Sequence, residues 1–116
     1  MRTIYVCHPY SGDPEGNRVK VLRICKMLAD RGDLPIAPQI YLPQFVDEAT
    51  RRKLAMEMCV ALLTACDEIL VCGGVVSPGM LEEINFANAM GIRPEYLREI
   101  PEPADGQQQP KPQAGA

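Results

Sequence analysis

At 116 residues with a net charge of −3, the chain is long enough for one modest core and too short for two. The acidic balance gives no electrostatic reason to expect nucleic acid, no basic run marks a membrane surface, and the longest apolar stretches fall far short of the ~20 residues a spanning helix needs. Five cysteines form no C-x-x-C pair and stand beside a single histidine, which excludes the usual zinc sites and predicts reduced packing thiols with no metal and no cofactor.

The opening MRTIYVCHPY has no signal-peptide apolar region, so a cytoplasmic protein is expected. TIYVC (3–7) is a short β-rich run and reads as a buried strand. The polar loop HPYSGDPEG follows, then a helix over 17–32 with Val21, Cys25 and Leu28 on one face, Asn17 as its cap and Gly32 as its stop. LPIAP (34–38) is a second strand, and QIYLPQFVDEA (39–49) reads as a long loop with a helical turn. A second helix is expected over 48–65, with Leu54, Met58, Ala61, Leu62 and Ala65 on its inner face. EILVC (68–72) is the clearest strand, a third helix runs 78–91, and IRPEYL (92–97) is a strand weakened by Pro94. Residues 1–99 then form the domain. The segment 100–116 is expected as a disordered tail: after Ile100 the chain turns to proline and glutamine with no aliphatic or aromatic residue larger than alanine.

Strands alternating with helices predict an α/β fold with a small parallel sheet of four or five strands, connected by right-handed crossovers. Ligands of such sheets bind beyond the carboxyl ends of the strands, where the winding direction switches. Two loops therefore matter most, HPYSGDPEG after the first strand and GGVVSPG after the third.

The second of these loops leads into SPGMLEEINFA, where Ser77 is a natural N-cap and Pro78 a natural first helical residue. The amides of Gly79 and Met80 then lack intrahelical partners and suit an anion, and Gly79 allows a close approach. Successive helix residues turn by ~100°, so Met80, Ile84, Ala87 and Gly91 face the sheet and Glu82 lies roughly opposite, in solvent. Glu83 lies ~80° to the side of that inner face, where it can overhang the pocket mouth. Glu83 is thus the candidate and Glu82 the bystander. Phe86 and Met90 form a second apolar stripe, read as a subunit interface beside the site.

The pattern Gly79-x-x-x-Glu83-Ile84-x-x-Ala87, with Asp67 opening the third strand and Ile4-Tyr5 in the first, resembles the nucleoside 2-deoxyribosyltransferase superfamily and, within it, the short phage and bacterial relatives. The resemblance covers about residues 2–95 and implies a flavodoxin-like three-layer fold. It implies cleavage or transfer at the N-glycosidic bond of a nucleoside or nucleoside 5′-monophosphate. Glu83 would be the nucleophile and Tyr5 the residue that positions it. His8, Tyr10, Ser77, Gly79 and Met80 would contact the substrate, with Ser77 standing where the hydrolase branch carries a serine of the 5′-phosphate site. A carboxylate suits this chemistry because it can form a covalent glycosyl intermediate through an oxocarbenium-like transition state. A small-molecule partner and a homodimer or larger homo-oligomer are also implied.

Two features depart from the family. The loop His8-Pro9-Tyr10-Ser11-Gly12-Asp13 replaces the Gly-Ser or Gly-Pro loops common there. Eight residues before Asp67 the family carries an aspartate that assists protonation of the leaving base, and here that position is Cys59. A neutral thiol is a poor proton donor. Glu57 and His8 are the nearest substitutes, and the two-residue offset of Glu57 turns it ~200° away on a helix. A non-catalytic nucleotide-binding module is therefore the alternative reading, and an interaction protein using the tail is a third. Other motifs fail. SGDPEGNR lacks the lysine of a phosphate-binding P-loop, and Asp13 stands where a phosphatase built on Cys7 needs arginine. Asp67 reads as a structural residue. The glycines before Glu83 also resemble the lysine-decarboxylase-like proteins that release bases from nucleotides, which implies the same bond.

Overall fold

Side chains alternate across a strand, so β1 (Thr3–Cys7) sends Tyr5 and Cys7 to one face and Ile4 and Val6 to the other. In β3 (Glu68–Cys72), Ile69 and Val71 follow the first pair, Leu70 and Cys72 the second. Both strands are buried on both faces, as a parallel sheet covered by helices requires. The computed structural model describes residues 1–102, and the expected tail lies outside them apart from its first residues. Ile100 packs partly against the core, so the folded part reaches past residue 99.

Four parallel strands lie in the order β2-β1-β3-β4, with β2 at Leu34–Ile36 and β4 at Arg93–Leu97. Helix α1 (Pro14–Asp30) covers one face through Val21, Ile24 and Leu28. Helices α3 (Arg52–Thr64) and α4 (Pro78–Ala89) cover the other. Helix α2 (Pro38–Tyr41) and a 3-10 turn (Leu42–Gln44) fill the segment expected as loop with a helical turn. This is the three-layer α/β fold of the flavodoxin-like type. From β1 the chain winds outward to β2, then crosses over and winds the other way through β3 and β4. The switch point therefore falls at the carboxyl ends of β1 and β3. Pro94 is accommodated because β4 is an edge strand, paired only with β3.

Three local expectations are corrected. Helix α1 begins at Pro14 and its cap is Asp13, whose carboxylate accepts from the Gly16 amide at 3.2 Å. Proline at the first helical position fixes that start. Asn17 instead donates to the Tyr10 and Ser11 carbonyls at 3.1 and 3.3 Å and pins the loop between β1 and α1. Helix α3 is turned by about one residue, ~100°, from the expected face. Ala55, Leu63 and partly Cys59 and Leu62 point inward, whereas Ala61 and Ala65 are exposed. Its sequence is apolar on several sides, so periodicity alone does not select a face. Phe86 is half-buried against the core, which leaves Met90 as the exposed member of the expected stripe.

At the amino-terminal edge of the sheet, Glu68 accepts from Arg2 at 2.6 Å and lies 3.6 Å from Arg93. Asp67 accepts from the Thr3 amide at 2.7 Å, the structural role expected of it. Among the described residues no helix is long and apolar enough to cross a membrane.

Candidate active site

A cleft of about 260 Å³ opens at the switch point, between the loop after β1, the α2 segment, and α3 and α4. All seven residues singled out in the sequence line it: Tyr5, His8, Tyr10, Ser77, Gly79, Met80 and Glu83.

Glu83 reaches the cleft because α4 starts where its caps dictate. Ser77 is extended (φ −77°, ψ 165°), its hydroxyl accepts from the Met80 amide at 3.2 Å, and Pro78 opens the helix. Counting from that cap puts Glu83 among the buried residues, only 9% exposed, and leaves Glu82 in solvent. The same bond changes the anion reading. The Met80 amide is already occupied, so the Gly79 amide and the Ser77 hydroxyl hydrogen are the donors this turn can offer, and Met80 contributes its side chain to the cleft wall.

Tyr5 and Glu83 meet across the layers. The Tyr5 hydroxyl donates to Glu83 Oε2 at 2.7 Å in a buried bond between β1 and α4. The Cys7 thiol stands beside them, with its own contact to the Met80 carbonyl at 4.0 Å. Burial raises the Glu83 pKa, opposed by the hydrogen bonds of Tyr5 and Cys7, with the Glu82 charge adding a smaller rise. Burial and the neighbouring carboxylate push the Tyr5 phenol far up, so it remains a donor. Among the described residues no cation forms an ion pair with Glu83. A buried, tyrosine-held carboxylate with no cation at its side is suited to nucleophilic attack on an electron-poor carbon.

His8 is only 8% exposed. Its Nδ1 lies 2.9 Å from the Pro9 carbonyl, and a carbonyl only accepts, so Nδ1 carries the hydrogen. Burial lowers the pKa of this imidazole, the Pro9 carbonyl opposes that, and Lys20 adds to the lowering. Cys59 lines the cleft near Tyr5, and burial raises its thiol to about 11. Glu57 is exposed on the far side of α3, as the helix count predicted, and supplies nothing here.

Among the cleft residues that the sequence reading did not single out, Arg52 and Gln39 matter most. Arg52 stands seven residues before Cys59 and so on the same helix face, a spacing that could have revealed it. Its Nη1 donates to both Glu48 oxygens at 3.1 Å, and its Nη2 lies 3.2 Å from where a Cβ on Gly79 would sit. Gln39 follows Pro38 just beyond β2, and its Nε2 donates to the Val6 carbonyl at 3.1 Å, tying α2 to the end of β1. No sequence pattern marked it. Leu42, Val46 and Met56 supply apolar wall. Among the described residues no three His, Cys, Asp or Glu side chains converge as a metal site.

Fold and cleft together define a flavodoxin-like α/β protein with a switch-point site. The chain belongs to the family described as Domain of unknown function (DUF7768), whose model matches residues 2–97. No curated protein matches it. Among solved structures it is similar to the 2-desoxiribosyltransferase of Leishmania mexicana (TM-score 0.66, 18% identity, 83% of this chain and 63% of that one). It is similar also to the 2-deoxyribosyltransferase of Bacillus psychrosaccharolyticus (0.65, 16%, 86% and 77%). The CMP N-glycosidase of Clostridium botulinum gives 0.52 and 19%, over 82% and 67%. The chain thus spans less than two thirds of the length of the first of these.

Proposed function

We propose that this protein cleaves or transfers at the N-glycosidic bond of a nucleoside 5′-monophosphate or nucleoside, with Glu83 as nucleophile and Tyr5 as the residue that orients it. The observation that carries the reading is the 2.7 Å bond from the Tyr5 hydroxyl to a Glu83 carboxylate that is buried and has no cation partner. Solved structures sharing the fold include two deoxyribosyltransferases and a CMP N-glycosidase, which supports this bond as the target. We read the chain as a short member of that superfamily.

In the first half-reaction a Glu83 oxygen bonds to the anomeric carbon as the base departs with the electron pair of the glycosidic bond. Tyr5 keeps Oε2 occupied, which leaves Oε1 to attack. In the same cleft, at the start of α4, Ser77, the Gly79 amide and the Arg52 guanidinium offer donors to a phosphate. That favours a nucleotide over a free nucleoside. Tyr10 supplies an aromatic face for the base.

Cys59 favours a second reading, a nucleotide-binding module that keeps the pocket without turnover. One experiment separates the two: chromatography for free base after incubation with a panel of ribo- and deoxynucleosides and their 5′-monophosphates, wild type beside Glu83→Gln. Base released by wild type and lost in the variant supports the enzyme. Thermal stabilisation by a nucleotide without release supports the module, and neither result would sink both.

A further inference from the structure

We propose that His8 is the general base of this cleft, its Nε2 taking the proton of the water that resolves a glycosyl–Glu83 intermediate. This rests on the glycosidic reading above.

His8 is the first residue beyond β1, three after Tyr5, and it lines the same cleft as Glu83. The bond to the Pro9 carbonyl fixes its tautomer: with the hydrogen on Nδ1, the neutral ring carries its lone pair on Nε2. Nε2 has no partner among the described residues. The only unpartnered side-chain nitrogen or oxygen sealed from solvent among them is Arg23 Nε, so His8 Nε2 keeps access to solvent, and His8 lines the cleft. A residue more than nine-tenths buried, with one ring nitrogen bonded and the other free, is an acceptor held ready.

The remaining cleft groups are committed elsewhere. Tyr5 donates to Glu83, Glu83 is the nucleophile, and Glu48 is held by Arg52. The Cys59 thiol, raised to about 11, is neutral near pH 7 and a weak acceptor. Tyr10 lies in the same loop, and Lys20 of α1 is the cation that bears on the ring. Burial and Lys20 both favour neutral imidazole, the form a base needs. With Cys59 neutral on α3, proton handling falls to a residue of a different element.

The water oxygen bonds to the anomeric carbon while the bond from that carbon to Glu83 Oε1 breaks, its electron pair returning to the carboxylate. The water proton passes to Nε2, and the resulting imidazolium releases it to solvent.

His8→Asn keeps a donor for the Pro9 carbonyl and removes Nε2. With the nucleotide that wild type cleaves, first-turnover base release in the variant should stay within about 3-fold, while steady-state release falls roughly 10²–10⁴-fold. Intact-mass spectrometry should then show a pentosyl-phosphate adduct on Glu83, and added imidazole should restore turnover. Equal losses in both phases, or no loss, would overturn the role. The chain has one histidine, so the ¹⁵N resonances of the wild-type ring are unambiguous. They should report Nδ1–H and a bare Nε2 at pH 7, with the Nε2 signal moving when nucleoside 5′-monophosphate is added. An Nε2–H tautomer or an imidazolium at that pH would also overturn it. No base release by wild type from any substrate sinks the glycosidic reading and the role together, whereas release with an unaltered His8→Asn sinks the role alone.

Discussion

Two glutamates are equally buried at opposite ends of the same sheet, each 9% exposed, and the protein compensates them in opposite ways. Glu68, at the amino-terminal end, has Arg2 at 2.6 Å and Arg93 at 3.6 Å. Asp33 beside it is held below the usual carboxylate range by the Arg31 hydrogen bond and by Arg2. Glu83, at the carboxyl end, has one phenol at hydrogen-bond distance and no cation. Burying a carboxylate costs free energy unless charge or hydrogen bonds offset the lost water. The first end is built to be stable. The second keeps an under-compensated charge facing a cleft, an arrangement expected where chemistry is done.

The largest effect that tests this contrast is Glu83→Gln. Base release should fall by roughly 10⁴-fold, while stability rises by about 1 kcal/mol as the uncompensated charge disappears. The pH dependence has a definite sign. The folded pKa of Glu83 lies above its ordinary value of 4.5, so the native state binds more protons than the unfolded one between the two. Wild-type stability contributed by this group is therefore highest at acid pH and is lost as pH rises through the raised pKa. The gain of the variant should vanish in acid and grow toward neutrality in denaturant titrations. A variant less stable than wild type at pH 7 would break the contrast.

Tyr5→Phe comes next. It removes the 2.7 Å hydroxyl donor of Glu83, a bond to a charged group worth about 1.5–3 kcal/mol, so turnover should fall ~10–10²-fold. That bond holds the Glu83 pKa down, so its loss should move the acid limb of the rate profile to higher pH. An unmoved limb would mean that the tyrosine only fills space.

Glu83 was legible in the sequence because its orientation follows from a local signal, the Ser77-Pro78 cap and ~100° per residue. The strands were legible for a similar reason: two uninterrupted apolar runs, TIYVC and EILVC, can only be strands buried on both faces. The face of α3 was not, since a helix flanked by a sheet, another helix and a cleft is apolar on several sides. Arg52 and Gln39 were missed because they join the site only once the α2 segment and α3 pack over the end of β1. That closure is a tertiary fact: the seven-residue spacing from Cys59 places Arg52 on the right face of α3, but nothing local says that this face meets a cleft, and Gln39 has no spacing signal at all. The Glu68 cluster was equally hidden, its partners being 66 and 25 residues away.

Glu68→Ala tests the stable end. It leaves Arg2 and Arg93 without their carboxylate, but their side chains are 51% and 71% exposed and can recover water. The loss should be ~1–2 kcal/mol, below that of a fully buried pair. Base release should be unchanged, because the cluster lies at the end of the sheet away from the cleft. A variant that keeps its stability and loses activity would invert the assignment of the two ends.

The smallest effect is the most discriminating for the adjacent pair. Glu82→Gln changes an exposed residue, so stability should stay within about 0.5 kcal/mol of wild type. The Glu82 charge is nevertheless the one nearby carboxylate that raises the Glu83 pKa. Removing it should shift the acid limb of the rate profile slightly to lower pH, opposite to Tyr5→Phe, without lowering the plateau. Two shifts of opposite sign, from a residue that touches Glu83 and one that only repels it, would identify Glu83 as the titrating group. A lost plateau in Glu82→Gln would mean that the neighbour was the catalyst and that the helix count had chosen the wrong glutamate.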